Sequence, residues 1–306
     1  MTTNPFFSVI IPTYNRGNLI SETLESVFSQ RMQDFEIIVI DDCSTDNTAE
    51  VLKPLFNAGK IRYIKNDQNY ERAVSRNIGI LNAIGQYLAF IDSDDIMHDN
   101  HLSTLYSIIQ IHPDIKFLAT KYQIVRNNKT YPSLSLSDIR EGWHDVHILI
   151  KGNPFATSFC LKKNNPDLKL FQEDSKFAVM EDWMFLFHNI INEKIFISGI
   201  TTISLIDHDS RTMRGNNQNI ISKKLMATEW IIQNLTLTER QINNLKGYAY
   251  YFCAIHEYID DNKLNAIKYL CKTTKKIGIK LNSLMLLVKV VVGYPTIQKI
   301  KGDSLK

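Results

Sequence analysis

The sequence predicts an α/β protein with a mostly parallel β-sheet, a small antiparallel part and a helical C-terminal region. Three observations predict this class: apolar strands alternate with helices over the first 120 residues, shorter segments follow, and only helical spacing appears after about residue 216. Strands that are apolar throughout and separated by helices are typical of a parallel sheet covered on both faces. At 306 residues the chain exceeds what one core usually covers, so we expect more than one domain.

The first 120 residues contain the predicted strands of the parallel sheet and the helices between them. We predict strands over residues 7–11, 35–40, 61–64 and 87–91, and helices over residues 19–30, 48–56 and 71–84. Ligands of such sheets bind beyond the carboxyl ends of the strands. The segments that directly follow these strands are therefore the candidate site.

The pattern changes after residue 115. We predict shorter, antiparallel strands over residues 117–125, 130–132, 156–161, 195–197 and 202–206. A helix opens at residues 180–186 with acids in its first turn, where the helix dipole favours negative charge. Further helices are predicted over residues 225–235, 241–259, 264–277 and 281–292. These patterns predict one domain over residues 1–215 and a helical region over residues 216–306.

The basic residues are concentrated at the C-terminus. Residues 261–306 hold ten Lys and two Asp, whereas the whole chain carries a net charge of only +3. The overall charge gives no indication of nucleic-acid binding. Two interpretations of the basic helices stay open: a helical cap with solvated lysines, or an element that lies on an anionic membrane surface.

Cysteine usage and the N-terminus indicate a cytoplasmic protein. The four cysteines are scattered without a C-x-x-C pair, which suits a reducing compartment. The first residues show no signal peptide, and the longest strongly apolar run, residues 284–292, is too short to span a bilayer. Contact with the inner face of the cytoplasmic membrane through residues 261–306 is the open alternative to a purely cytoplasmic location.

Three carboxylates follow the fourth predicted strand within four residues: Asp92, Asp94 and Asp95. Like charges at such spacing repel, and a hard divalent cation such as Mg²⁺ or Mn²⁺ relieves the repulsion because it prefers carboxylate oxygen. Mg²⁺ takes few protein carboxylates and completes its shell with substrate phosphates. The segment therefore predicts a metal site that holds a diphosphate, and a solvated Asp-rich turn is the alternative.

The other strand ends carry compatible chemistry. Residues 12–15 read PTYN, residues 41–46 read DDCSTD, and the helix after the third strand carries Arg72 and Arg76. Acids with arginines beside them suit a metal-bound nucleoside diphosphate. The sequence has neither G-x-G-x-x-G nor G-x-x-x-x-G-K-[ST], which argues against dinucleotide dehydrogenases and P-loop NTPases.

Five segments occur in a familiar order: SVIIPTYN at 8–15, IDDCSTD at 40–46, AVSRNIG at 73–79, FIDSDD at 90–95 and EDW at 181–183. Together they closely resemble the family 2 inverting glycosyltransferases of bacterial polysaccharide biosynthesis, and the resemblance covers roughly residues 6–210. It implies the GT-A fold, a Rossmann-like nucleotide-diphospho-sugar transferase domain. It also implies a nucleotide-binding half over about 1–115 and an acceptor half over about 116–215.

The resemblance assigns residues to the donor. Asp42 matches the carboxylate that accepts a hydrogen bond from uracil, and Asp94 matches the metal ligand. Arg76 would approach the base or the diphosphate, and Asp95 is an additional acid. The full donor set is Pro12, Thr13, Tyr14, Asp42, Arg76, Asp92, Ser93 and Asp94.

The resemblance also assigns residues on the acceptor side. Asp182 matches the general base, and Glu181 and Trp183 would border the donor and acceptor sugars, although packing is the simpler role for Trp183. His208 would be a further metal ligand, with a surface histidine after a strand as its alternative. Arg211 and Arg214 would grip phosphate or be solvated loop residues.

The implied activity is metal-dependent, inverting transfer of a hexosyl or N-acetylhexosaminyl group. The donor would be a nucleotide sugar, most simply UDP-linked, the cofactor Mn²⁺ or Mg²⁺, and the acceptor a saccharide or lipid-linked saccharide. An inverting transfer needs one carboxylate as base and charge stabilisation for the departing diphosphate. The alternative is a non-catalytic nucleotide- or glycan-binding module on the same fold.

Overall fold

The computed structural model describes residues 4–208 and 216–303, with side chains to residue 298. Within these ranges the chain is an α/β protein with two compact units. The first unit takes in residues 4–149 and 153–208, and the second takes in residues 150–152 and 216–303.

The first unit is built on one mixed sheet. Its strands are β1 (Phe7–Thr13), β2 (Phe35–Asp41), β3 (Arg62–Lys65), β4 (Tyr87–Phe90), β5 (Ile96–Met97), β6 (Phe117–Arg126), β7 (Lys129–Pro132), β8 (Gly142–His144), β9 (Phe159–Lys162) and β10 (Ile195–Ile206). Its helices are α1 (Ile20–Phe28), α2 (Thr48–Asn57), α3 (Glu71–Asn82), α4 (His101–Ile111) and α5 (Glu181–Ile190). The strand order is β3-β2-β1-β4-β9-β6-β10-β5, with β7 beside β6 and β8 beside β10.

The parallel part of the sheet confirms the expectation from sequence. Strand β1 lies between β2 and β4 and is parallel to both, with Val9 opposite Ile37 and Ala89. All seven residues of β1 are buried, as expected for a strand covered on both faces. Strands β2 and β3 lie on one side of β1 and β4 lies on the other. The order in which strands are added to the sheet therefore changes direction at β1. Ligands of such sheets bind at this point, so the expected crevice lies at the carboxyl ends of β1 and β4.

The second half of the sheet is mixed rather than antiparallel throughout. Strand β9 is antiparallel to β4 and β6, but β6 and β10 run parallel. The two predicted strands over 195–197 and 202–206 are one strand, β10, with register shifts between Ile197 and Ile203. Period-2 patterning cannot distinguish a bulged strand from two short ones, because an inserted residue breaks the alternation in the same way as a turn.

Two strands and one α-helix of the first unit are not among the expected elements. Strands β5 and β8 have two and three residues, which is too few for a sequence pattern. Helix α4 does carry a recognisable sequence pattern, because Leu102, Leu105 and Ile109 are buried at helical spacing.

Helix α3 lies unusually close to the sheet. A Cβ atom at Gly79 would lie 2.4 Å from Cγ2 of Ile10 in β1, so any larger residue would push the helix outward. The same helix carries Arg72 and Arg76. Close packing at Gly79 therefore fixes how near these two arginines lie to the strand ends.

The second unit is helical, as the sequence predicts for its C-terminal region. Its helices are α6 (Asn217–Asn234), α7 (Glu239–Ile259), α8 (Lys263–Ile277), α9 (Leu281–Val292) and α10 (Tyr294–Asp303). Helix α7 begins with a capping box formed by Thr238 and Gln241. The small core of α7, α8 and α9 comprises Ala254, Tyr258, Ala266, Leu270, Leu286 and Val290. Of the helices in the described part of the chain, none has the length and hydropathy needed to cross a bilayer.

Candidate active site

A buried arginine holds together three carboxylates that are far apart in the sequence. The guanidinium of Arg76 lies 2.9 Å from Asp92 and 2.9 Å from Asp182, and 3.4 Å from Glu181. Its side chain is fully buried. This contact brings the segment after β4 and the first turn of α5 to one point.

The charge balance at this point keeps Arg76 ionised. Burial alone would lower the pKa of Arg76, but Asp182, Asp92 and Glu181 together raise it well above its usual range. Arg72 adds a second cation, with Nε 3.7 Å from Oε1 of Glu181. Two guanidinium groups thus face three carboxylates, which leaves one net negative charge among these five side chains when all three carboxylates are ionised.

Asp182 differs from its neighbour Glu181 in exposure. The side chain of Asp182 is 20% exposed, whereas that of Glu181 is 4% exposed and lies against both arginines. Burial raises the pKa of Asp182 to about 7, with Arg76 opposing the rise and Glu181 and Asp92 adding to it. A carboxylate that titrates near neutral pH and reaches solvent is suited to accept a proton from a substrate.

The acidic cluster after β4 lies beside Arg16 and His208. Asp92, Asp94 and Asp95 each offer a carboxylate oxygen, and these oxygens lie within 4.8 Å of one another. Oδ2 of Asp94 lies 2.9 Å from Nε2 of His208 and 3.3 Å from Nε of Arg16. Carboxylate oxygens with a neighbouring imidazole fit Mn²⁺, and the oxygens also fit Mg²⁺.

Asp95 is a tether in this structure. It is fully buried, and its Oδ1 accepts a hydrogen bond of 3.0 Å from the amide of Ile206 at the end of β10. Its carbonyl accepts a hydrogen bond of 2.9 Å from the hydroxyl of Thr23 in α1. Because Ile206 precedes His208 by two residues, Asp95 helps to hold His208 beside Asp94.

Asp42 is fixed at the end of β2. Its amide donates to the carbonyl of Thr13 at 2.8 Å, which joins the ends of β1 and β2. Its Oδ1 accepts hydrogen bonds from Nδ2 of Asn66 at 2.8 Å and from the amide of Tyr70 at 2.9 Å. The carboxylate is therefore oriented before any ligand arrives.

Four other residues of the expected donor set differ in accessibility. Pro12 and Thr13 are buried within β1, and Ser93 is buried after β4. Tyr14 is 42% exposed, so it can present its ring to a ligand. The next residue, Asn15, has a φ of 52°, and its side chain accepts a hydrogen bond of 2.8 Å from the amide of Thr45.

Two residues that the resemblance assigns are buried and held by protein groups. Arg76 is enclosed by the carboxylates of Asp92, Glu181 and Asp182, which balance its charge. Trp183 is buried, and its indole donates a hydrogen bond of 2.7 Å to the carbonyl of Leu149, which is a packing role. Arg211 and Arg214 lie outside the described residues.

Sequence reasoning did not single out Arg16 or Asn66. Arg16 contacts Asp94, and Asn66 orients Asp42. One signal for both was available: each lies just after a parallel strand, at the edge where ligands bind. A hollow beside Glu181 was also not anticipated; it is lined by Glu71, Arg72, Ala73, Gln172, Glu173, Asp174, Ser175, Ala178 and Glu181.

Known proteins share parts of this sequence. An uncharacterized glycosyltransferase of Rickettsia felis is 40% identical over 170 residues, which cover 55% of this chain and 27% of that protein. The UDP-Glc:alpha-D-GlcNAc-diphosphoundecaprenol beta-1,3-glucosyltransferase WfgD of Escherichia coli is 36% identical over 122 residues, which cover 40% of this chain and 47% of WfgD. The chain thus spans about a quarter of the first relative and less than half of the second.

A solved structure shares the fold. The crystal structure of S. aureus TarS 1-349 in complex with UDP-GlcNAc superposes with a TM-score of 0.68 at 20% identity, over 89% of this chain and 81% of that one. This likeness confirms the GT-A fold. The profile of glycosyl transferase family 2 matches residues 8–174, more than half of the chain, and ends before Glu181 and Asp182. The resemblance seen in the motifs is therefore confirmed, and the chain belongs to glycosyl transferase family 2.

Proposed function

We propose that this protein is an inverting glycosyltransferase that moves a hexosyl or N-acetylhexosaminyl group from a nucleotide-diphosphate donor to a saccharide or lipid-linked saccharide. One observation carries the proposal: buried Arg76 joins Asp182, whose pKa is raised to about 7, to the acidic cluster at Asp92. This arrangement would supply the two groups that inverting transfer needs, a proton acceptor and a site for a cation that stabilises the departing diphosphate. We assign the catalytic domain to residues 1–215 and the helical C-terminal region to residues 216–306.

Asp92, Asp94 and His208 would hold the metal ion, Mn²⁺ or Mg²⁺. When bound, the ion supplies positive charge to the departing diphosphate. Arg16 contacts the same oxygen of Asp94 as His208 does, so it is placed to exchange that contact for a phosphate oxygen. Asp95 keeps its tethering role.

The base of the donor would lie between Asp42 and Tyr14. Oδ1 of Asp42 is already engaged by Asn66 and Tyr70, so the second oxygen, Oδ2, is the acceptor for an N–H of uracil. The exposed ring of Tyr14 would pack against the base. UDP in the names of the E. coli relative and of the TarS complex supports a UDP-linked donor.

The chemical step follows from the position of Asp182. The carboxylate takes the proton of the acceptor hydroxyl while the hydroxyl oxygen attacks the anomeric carbon. The bond from that carbon to the diphosphate oxygen breaks on the opposite face, so the configuration inverts and the nucleoside diphosphate leaves. Glu181, held by Arg72 and Arg76, borders the hollow beside α5 and would bind a sugar hydroxyl there.

The acceptor is proposed to be lipid-linked. The E. coli relative is named for a diphosphoundecaprenol-linked acceptor, which supports this class for the present chain. Such an acceptor would place the enzyme at the cytoplasmic face of the membrane. The basic C-terminal region fits this location because lysines are attracted to anionic lipid.

Replacing Asp94 with alanine tests the donor site. We expect the Asp94→Ala variant to lose metal-dependent affinity for UDP by on the order of tenfold or more, because a carboxylate ligand is removed. Calorimetric titration of UDP with and without Mn²⁺ measures the loss. Asp34→Ala is the matched control, since Asp34 is exposed and precedes β2 at the opposite end of the sheet. Undiminished Mn²⁺-dependent binding by Asp94→Ala would remove Asp94 from the site.

A further inference from the structure

Helix α9 has apolar residues on two opposite faces. One face, with Leu286 and Val290, packs into the core of the second unit. The other face is exposed to solvent and consists of Leu281, Leu284, Met285, Val288, Val291 and Val292. We call these six residues the α9 stripe.

The α9 stripe is continuous along the helix. At about 100° per residue, its six side chains fall within about 120° of arc, opposite the buried residues. Every one of the six is exposed, and Leu281, Val288 and Val291 are each more than 60% exposed. Contiguous exposed apolar surface of this kind marks an interaction site rather than scattered surface residues.

The charges around the α9 stripe identify its partner. Lys280 precedes the helix, and Lys289 lies one turn from both Met285 and Val292, so a lysine borders the stripe on each side. Between residues 262 and 298 the sequence holds seven lysines and no Asp or Glu. A second copy of the chain would bring like charges together across a twofold contact, whereas anionic lipid complements them.

We propose that the α9 stripe docks on the surface of an anionic lipid bilayer, with its apolar side chains among the acyl chains and its flanking lysines at the headgroups. A helix of 12 residues is about 18 Å long, shorter than the ~30 Å hydrocarbon core, so it lies along the surface. Docking on the bilayer does not itself depend on the proposed function. Only its purpose, which is to bring the enzyme to a lipid-linked acceptor, rests on that function.

Vesicle sedimentation tests the inference without any sugar transfer. We expect the 306-residue protein to sediment with vesicles of phosphatidylethanolamine and phosphatidylglycerol and less with vesicles of phosphatidylcholine. The double variant Leu284→Glu, Val288→Glu is expected to bind the anionic vesicles at least ~10-fold more weakly, because it puts charge into the inserted face. Lys280→Gln with Lys289→Gln is expected to weaken binding on the order of tenfold and to reduce its dependence on salt.

The matched control is Ile111→Glu with Leu134→Glu, which alters two apolar residues outside the helical unit that are more exposed than Leu284 and Val288. It is expected to bind vesicles like the wild type. Absence of binding by the wild type, or equal binding by the α9 variant and the control, would overturn the proposal. Dimerisation through the stripe, seen as a dimer that Leu284→Glu, Val288→Glu converts to monomer, would overturn it too. Transfer to a water-soluble acceptor is measured separately, so loss of membrane binding is distinguished from failure of the proposed activity.

Discussion

Replacing Asp182 with asparagine is expected to reduce sugar transfer by about 10²–10⁴-fold, the usual contribution of general base catalysis. Asparagine has nearly the same shape but cannot accept the proton of the acceptor hydroxyl. Donor binding is expected to stay close to that of the wild type, because Asp182 lies in α5 and the donor contacts lie at the ends of β1, β2 and β4. Transfer is measured with a radiolabelled donor sugar, and donor affinity by calorimetry.

Two further variants make the test specific to Asp182. Asp167→Asn is the matched control, because the same change falls on a side chain that is 72% exposed. Glu181→Gln is expected to retain more transfer, because Glu181 is held by Arg72 and Arg76 and is not the base. Near-normal transfer by Asp182→Asn, together with an inactive Glu181→Gln, would assign the base to the other carboxylate.

The pH dependence of transfer provides a separate readout for Asp182. Burial raises its pKa to about 7, above the ordinary value of an aspartate, so the base is increasingly protonated as the pH falls below 7. Since only the ionised form accepts a proton, kcat/KM is expected to fall about tenfold per pH unit below pH 7. A profile that stays flat from pH 7 to about pH 5 would show that a carboxylate with an ordinary pKa accepts the proton of the acceptor hydroxyl.

Replacing Arg76 with methionine is expected to destabilise the first unit by about 3–5 kcal/mol, the usual result of removing one partner from a buried ion pair. Methionine fills much of the volume but leaves Asp92, Glu181 and Asp182 without the cation that lies among them. For a unit of this size the midpoint of thermal unfolding should fall by on the order of 10 °C. Differential scanning calorimetry measures the change.

The pH dependence of this destabilisation identifies its cause. Without Arg76 the three carboxylates repel one another when they are ionised at high pH, and protonation at low pH relieves this repulsion. The deficit in unfolding free energy should therefore be larger at pH 8 than at pH 5. Arg72→Met is the control and should cost less, because Arg72 is 33% exposed and lies 3.7 Å from Glu181. An Arg76→Met protein as stable as the wild type at pH 8 would contradict the account.

The parallel half of the fold could be predicted because its strands carry a local signal. Strands β1, β2 and β4 are mostly apolar, and the polar residues directly after them indicate the ligand edge. Asp42 and Asp92 were placed at that edge from sequence alone. Position along the chain sufficed here, because the carboxyl ends of parallel strands always meet at one edge of a sheet.

The contacts that join the two halves of the site could not be predicted in the same way. Arg76 lies on helix α3, whose pattern indicates only that one face is buried. Nothing in the neighbouring sequence shows that this arginine contacts Asp92, Glu181 and Asp182. The parallel pairing of β6 with β10 is likewise set by packing between segments far apart in the chain. Long-range contacts of this kind leave no periodic pattern in either partner.

Titrating UDP, GDP, dTDP and CDP into the protein by calorimetry, with and without Mn²⁺, tests the central claim most directly. We expect Mn²⁺-dependent binding of UDP in preference to CDP, because the carboxylate of Asp42 would accept a hydrogen bond from the N3–H of uracil, which cytosine lacks, and the cluster at Asp94 would bind the metal-bound diphosphate. Binding of no nucleotide under either condition would contradict the proposed donor site and favour a fold that has lost the transfer reaction.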